Sequence, residues 1–504
     1  MRDGTCLHTD IYLSKNYEGP LPVILIRNPA ERQTASAIVH TGLTEFGYVV
    51  AIQSTRSALD EKGKTLPYLS DGWVGQQDGY DAVEWLAKNP ICNGKVGTVG
   101  SSALGITQLL LAPTAPPSLV CQYIGVAASS LYHQGIFPGG QLLKNQVEGW
   151  LGYYAKDPEV LAFVASKSSP SEFWDVFDTR PMAKHVKVPG LHQGGWYDTF
   201  IKGTIEGFTS RQNEGATGAK GTQKLVIGPW DHYWPREMPY GDFKLLDAGK
   251  QLPFPVTTRH WFDHHLKGVS TGVEELPAVM YYVMGPFDGA PSSGNVWKTS
   301  NQWPVPSSSL TLYFTKEGAL SADKPKEVAH FEYKADPANP VPTIGGRNLF
   351  LQSGPMDQKS IEEREDVLVF TSEPLKEDLE VTGEIFAKIA FESNCCDGDI
   401  AVRLTDVYPD GKSILIVDGL TRVSSQEVLA DERIAKREVE VDLWSTSIVF
   451  AKGHRIRVSI AGSNYPKYEL NKHVGSQVEG QKIAENKIGT GGDTPSVIIL
   501  PVVK

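Results

Sequence analysis

The chain has 504 residues, too many for one hydrophobic core, so two or three domains are expected. Its 40% hydrophobic and 21% charged content is that of a globular protein. A net charge of −11 argues against a nucleic-acid or anionic-membrane partner on electrostatic grounds. No apolar run reaches the roughly 18 residues that span a bilayer.

The start, M-R-D-G-T-C-L, holds no apolar signal core and runs directly into a strand-like stretch. A leader upstream is therefore left open. The five cysteines, Cys6, Cys92, Cys121, Cys395 and Cys396, are odd in number and irregularly spaced. Reduced thiols in a cytoplasmic protein are the expectation, with no disulfide framework and no zinc site.

Leu21–Asn28 is a near-continuous apolar run, as a buried parallel strand requires, and Tyr48–Gln53 repeats it. Asp78 is placed to cap a helix through Lys88 that buries Val83, Leu86 and Ala87. Then comes K-V-G-T-V-G-S-S-A-L-G, Lys95–Gly105. A β-favouring run meets a Gly-Ser-Ser turn and a helix-favouring run, Ala103 to Leu111, the setting of a nucleophile elbow. Gly100 stands two residues before Ser102, which makes Ser102 the expected nucleophile. The second glycine comes late, giving G-x-S-x-x-G rather than G-x-S-x-G. Leu119–Ala127 reads as another buried strand. Alternating strands and helices predict an α/β fold with a largely parallel sheet.

From about residue 131 to 186 the strand pattern stops, and Leu142–Ala155 and Glu159–Ser166 read as helices. This is expected to be a helical cap laid over the sheet, a common source of a substrate pocket. Strands return at Val188–Gln193 and Lys224–Gly228, each ending in an aromatic, polar turn: Gly194–Asp198 and Gly228–His232. Ligands bind outside the carboxyl ends of the strands in such sheets. Three strand ends thus offer Ser102, Asp198 and His232, in the chain order of α/β-hydrolases. Thr257–Gly268 reads as the domain's last helix. Its His260 and His264 lie one turn apart, but no acidic third ligand accompanies them, so no metal is expected.

Beyond Gly268 the pattern becomes short strands with Gly/Pro turns: Leu276–Met284, Leu310–Phe314, Val367–Phe370, Glu380–Phe391, Asp399–Val407, Ile414–Val417, Arg437–Asp442 and His454–Ala461. A C-terminal β-sandwich of jelly-roll type follows from that spacing, with Gly285–Ser309 as connector. The expected division is hydrolase core over 1–130 and 187–284, cap over 131–186, and sandwich over 285–504. Asp397-Gly-Asp399 lacks calcium-loop spacing. Gly489-Thr-Gly491-Gly492 is read as following no strand and opening no helix, which disfavours a phosphate loop.

With these residues assembled, the chain resembles the cocaine esterase-like family of acyl esterases, related to X-Pro dipeptidyl-peptidases and α-amino acid ester hydrolases. The resemblance spans nearly the whole length: M-R-D-G, Arg27–Pro29, the elbow, Gly195–Asp198, Gly228–His232, Trp261-Phe262-Asp263, Leu266-Lys267-Gly268, Gly354–Gln358, Arg364–Leu368 and Gly453–Ile456. It implies an α/β-hydrolase core, helical cap and jelly roll, a Ser102–His232–Asp198 triad, acyl-enzyme chemistry on esters, and no cofactor. It also implies an oxyanion hole from the backbone N–H of Ala103 and a tyrosine after R-N-P. Here that second position is Ala30. The family's D-T-R-G after the second core strand is replaced by Ser54-Thr55-Arg56-Ser57. Leu104 stands where the amino-acid ester hydrolases carry a glutamate, so an acyl ester without a free α-amine is expected.

Trp150, Trp196, Tyr197, Phe200 and Phe450 are the expected pocket walls. The partner is a small-molecule ester, with a homodimer left open. Two alternatives stand beside the esterase: an amide or X-Pro dipeptidyl hydrolase, and a catalytically weakened binder that Ala30 keeps in play.

Overall fold

The computed structural model describes residues 1–35, 42–60, 62, 64–155, 157–233, 240–424, 433–474 and 479–504, without the side chains of 58 and 59. Among the described residues, a nine-stranded sheet forms the first layer. Its strands are β1 (Thr9–Tyr12), β2 (Leu21–Asn28), β3 (Val49–Ser54), β4 (Cys92–Ser101), β5 (Leu119–Gly125), β6 (Gly190–Tyr197), β7 (Lys224–Asp231), β8 (Val279–Val283) and β9 (Val296–Ser300). Their order across the sheet is β1-β3-β2-β4-β5-β6-β7-β8-β9. The seven inner strands run parallel, with β1 and β9 antiparallel at the edges. Val23, Ile24, Leu25 and Ile26 are all 0% exposed, because β2 is an inner strand with helices over both faces.

The helices that frame the site are α1 (Asp78–Ala87), α2 (Ala103–Leu111), α3 (Lys144–Tyr154), α4 (Pro158–Ser166), α5 (Ile201–Glu214) and α6 (Thr258–Lys267). Asp78 does not cap α1. Gln77 is the cap residue, in left-handed conformation, and the Asp78 carboxylate is taken by Arg56, with Nε at 2.6 Å. A charge partner outweighs the free N–H groups of a helix start. α6 has the caps its sequence suggests: Thr257 accepts from the His260 N–H, and Gly268 ends it at φ 70°. Its histidines serve local bonds, His260 Nδ1 to Thr257 Oγ1 at 2.7 Å and His264 Nδ1 to Glu274 at 3.3 Å.

The β-sandwich follows. One sheet runs Leu320–Ser321, Ser308–Phe314, Val497–Val503, Leu379–Ser393, Ala484–Thr490, Ala329–Ala335, with Ile434–Phe450 on Leu379–Ser393. The other runs Leu368–Thr371, Arg455–Ala461, Asp397–Val407, Ser413–Ser424. Val296–Ser300, read from sequence as connector, is the antiparallel edge β9 of the first sheet. Gly489 and Thr490 do end a strand, contrary to the sequence reading; the chain then turns into Val497–Val503 rather than a helix. One apolar core joins β6–β8 to the sandwich, with Trp196, Tyr282, Phe314, Ile385, Phe450 and Val458 all buried in it.

Candidate active site

Ser102, Asp198 and His232 follow the carboxyl ends of β4, β6 and β7, and the structure brings them together. His232 Nε2 lies 2.9 Å from Ser102 Oγ. Its Nδ1 lies 2.7 Å from Asp198 Oδ1. Asp198 is 0% exposed and His232 8%, so the contact between them forms in a water-poor setting, while the one to Ser102 is part-buried.

The elbow explains its own sequence. Ser102 sits at φ 58°, ψ −125°, a strained conformation for a residue with a side chain. It holds the hydroxyl up at the N-terminus of α2. A Cβ at Gly100 would come 2.5 Å from Leu104 Cβ, and one at Gly105 would come 2.7 Å from Ala127 Cβ. Both glycines are therefore needed. The late second glycine serves the close packing of α2 on the residues after β5. As the first residue of α2, Ala103 has an N–H without an intrahelical acceptor.

The expected pocket walls divide. The Phe200 ring meets the His232 ring edge-on at 5.5 Å. Trp150 on α3 stacks on Tyr68, centroids 5.7 Å apart and 11° between planes. Trp196, Tyr197 and Phe450 do not line the site. Trp196 Nε1 donates to Tyr282 O at 2.7 Å, and Tyr197 Oη donates to Leu415 O at 2.8 Å. Phe450 is 0% exposed. All three pack in the core between sheet and sandwich: Trp196 and Tyr197 close β6 where its register against β7 shifts, and Phe450 ends the sandwich strand Ile434–Phe450.

The model of the X-Pro dipeptidyl-peptidase (S15 family) matches residues 3–158 and 150–234. The model of the X-Pro dipeptidyl-peptidase C-terminal non-catalytic domain matches residues 271–499. Cocaine esterase of Rhodococcus sp. is 29% identical, over 100% of this chain and 97% of that protein. Along its whole length the chain is similar to the cocaine esterase-like acyl esterases. Its α/β-hydrolase and β-sandwich fold is shared with an aminopeptidase from a marine-sediment Thaumarchaeota archaeon, TM-score 0.84 at 22% identity, covering 100% of this chain and 95% of that one. An α-amino acid ester hydrolase structure matches at TM-score 0.81 and 21% identity, with the same coverage.

The chain departs from the pattern of these relatives, as the resemblance implies it, at Ala30. The Ala30 N–H donates to Asn28 Oδ1 at 3.0 Å, and its side chain is a methyl group, so neither supplies a free donor. The neighbouring residues 36–41 lie outside the described residues. Ser54-Thr55-Arg56-Ser57 opens a short helix, Arg56–Leu59. Ser57 Oγ there donates to Pro29 O at 3.2 Å and braces the turn before Ala30. Among the described residues no group of three or more His, Cys, Asp or Glu could hold a metal, and no described helix is long and apolar enough to cross a membrane.

The structure adds residues that the sequence reading missed. A sandwich loop closes on itself where Gly346 and Gly354 pair, N–H to O at 2.8 and 3.0 Å. Tyr233, next to His232, donates its hydroxyl to Leu349 O at 3.1 Å. Ser353 Oγ donates to Asp231 Oδ2 at 2.7 Å. Phe350 at the tip packs so closely on α3 that a Cβ at Gly149 would come 2.6 Å from its ring. The loop thus bridges the cap and the His232 turn. Its apolar Leu349-Phe350-Leu351 run between paired glycines was the available signal, but only the fold brings it to the site.

Proposed function

We propose that this chain is a serine hydrolase of carboxylic esters that works through an acyl-enzyme on Ser102. The observation that carries the reading is the continuous contact from Ser102 Oγ to His232 Nε2 at 2.9 Å and from His232 Nδ1 to Asp198 Oδ1 at 2.7 Å. Neutral His232 takes the proton as Ser102 Oγ bonds to the acyl carbon. The carbonyl π pair moves onto oxygen, facing the N–H of Ala103. Collapse of this intermediate expels the alcohol, which leaves with the proton from His232. Water, deprotonated by the same imidazole, then attacks the acyl-enzyme, and the carboxylic acid departs as Ser102 regains its proton. Asp198 orients the ring and stabilises its cationic form.

Phe200, Trp150 and the Leu349–Phe350 tip are the proposed pocket walls. The apolar character of all of them supports an ester without a free ammonium group. The peptidase name of the matching family models favours one second reading, an amide or X-Pro dipeptidyl hydrolase. Purified chain assayed with p-nitrophenyl esters and with X-Pro anilides, beside Ser102→Ala, separates the readings. Ester turnover lost in the variant supports the esterase. Anilide turnover without ester turnover supports the second, and neither activity nor fluorophosphonate labelling leaves only a binding role.

A further inference from the structure

Beneath the elbow runs a chain of buried side chains that begins at a cation and ends at the turn carrying Ser102. Arg211 on α5 is 2% exposed. It has no carboxylate partner among the described residues, and burial alone lowers its guanidinium, to about 9. Its Nη1 donates to Gln122 Oε1 at 2.7 Å, and Nη2 reaches Leu109 O at 3.4 Å. Gln122 Nε2 donates to Thr98 Oγ1 at 3.2 Å and to Gln108 O at 3.0 Å. Thr98 Oγ1 donates to Gln108 Oε1 at 2.7 Å. Gln108 Nε2 then faces three carbonyls: Gly100 at 3.0 Å, Tyr123 at 3.1 Å and Leu104 at 3.2 Å.

The direction of this chain is fixed by chemistry. A guanidinium only donates, so Gln122 must turn its oxygen to Arg211 and its nitrogen to Thr98. Thr98 accepts there and therefore donates its proton to Gln108 Oε1. That leaves the Gln108 NH₂ pointing at the elbow. Four donors in series all point from the cation towards Gly100, and each polarises the next. The terminal amide grips the residue two before Ser102, the residue two after it, and the adjacent strand. It spans the strained backbone at Ser102, φ 58°. A buried cation without a counter-ion costs stability, and an apolar side chain of similar volume serves a core at least as well. A device that costs stability and ends on the nucleophile's turn indicates a positional role.

We propose that Arg211, Gln122, Thr98 and Gln108 form a positioning relay that holds the elbow so that Ser102 Oγ stays within reach of His232. None of them touches the substrate. The relay rests on the reading of Ser102 as nucleophile, and the experiment separates the two. Fluorophosphonate labelling rate, p-nitrophenyl acetate kinetics and thermal melting are measured on the full chain and on Arg211→Met, Thr98→Val and the double variant. Arg211→Met should melt at or above the wild-type temperature while its labelling rate and kcat fall roughly five- to tenfold, with KM within about twofold. Thr98→Val is close in shape and cuts the chain midway, so it should show a similar loss. It also carries the test alone should Arg211→Met unfold. The double variant should be no slower than the slower single variant. Unchanged rates in folded Thr98→Val, or losses that multiply in the double variant, overturn the relay alone. A wild-type chain that is not labelled at Ser102 overturns the nucleophile assignment and the relay with it.

Discussion

Replacing Asp198 by Asn tests the site with almost no change of shape. The carboxylate is 0% exposed and accepts from His232 Nδ1 at 2.7 Å. As Ser102 loses its proton, His232 becomes an imidazolium, and the buried negative charge is what favours that state. An amide at the same position removes the charge. It can also turn its NH₂ towards Nδ1, which moves the ring proton to Nε2, the atom that must accept from Ser102. The charge effect and the tautomer effect act together, and the loss expected from this geometry is about 10⁴ in kcat, or roughly 5.5 kcal/mol of transition-state stabilisation. KM should change little, because Asp198 lies behind the imidazole and away from the acyl group. The assay is steady-state ester hydrolysis by Asp198→Asn beside Ser102→Ala, with circular dichroism as control for folding. A folded Asp198→Asn chain that retains a tenth or more of wild-type kcat would refute the assigned role of this hydrogen bond.

Ala30→Tyr should raise kcat roughly tenfold to a hundredfold by adding an oxyanion donor, while KM moves less; stopped-flow acylation with p-nitrophenyl acetate reads it, and an unchanged rate means the hole is already complete. Phe350→Ala should raise KM for aryl esters several-fold and leave acetate esters nearly unaffected, which a panel of acyl and aryl substrates would show. Burial lowers the His192 imidazole to about 3, against about 6.5 in the unfolded chain. Between these values only the unfolded chain binds the proton, so this contribution to stability is whole above pH 6.5 and is lost as pH falls towards 3. At most about 5 kcal/mol is involved, and His192→Gln should flatten the acid limb of a melting-temperature profile; an unaltered limb refutes the linkage.

Much of this was readable because the elements that build the site are local. Val96 to Leu111 carries its strand, turn and helix in its own residue types, and the turns at Asp198 and His232 each follow an apolar run. Chain order then joined them. Pocket walls were less readable, since an aromatic residue has the same composition signal whether it faces substrate or core. Trp196 and Tyr197 immediately precede the candidate aspartate in sequence, yet both side chains bond to carbonyls on the far side, Tyr282 and Leu415. Phe350, distant in sequence, reaches the cap instead. Edge strands failed for a related reason. Val296–Ser300 and Ala329–Ala335 are half exposed, with burial patterns that lack a continuous apolar run, so the polar residues that protect an edge also hide its strand signal.

The division of labour in the fold follows from these placements. The parallel sheet supplies three fixed points, and each of them stands where a strand ends in a turn. The strain at Ser102 is local, but what opposes it is spread through the layer beneath, from Gly105 packed on Ala127 to the Gln108 amide on Gly100. The sandwich contributes nothing to the proton path. One self-paired loop of it is tied to the turn of His232 by Tyr233 and Ser353. The proposed proton path thus lies in the sheet layer, while the proposed pocket walls come from all three parts: Phe200 beside the sheet, Trp150 from the cap and Phe350 from the sandwich loop. Substitutions in the loop should alter which ester is taken while the acylation step keeps its pH profile, because no loop residue exchanges a proton with His232.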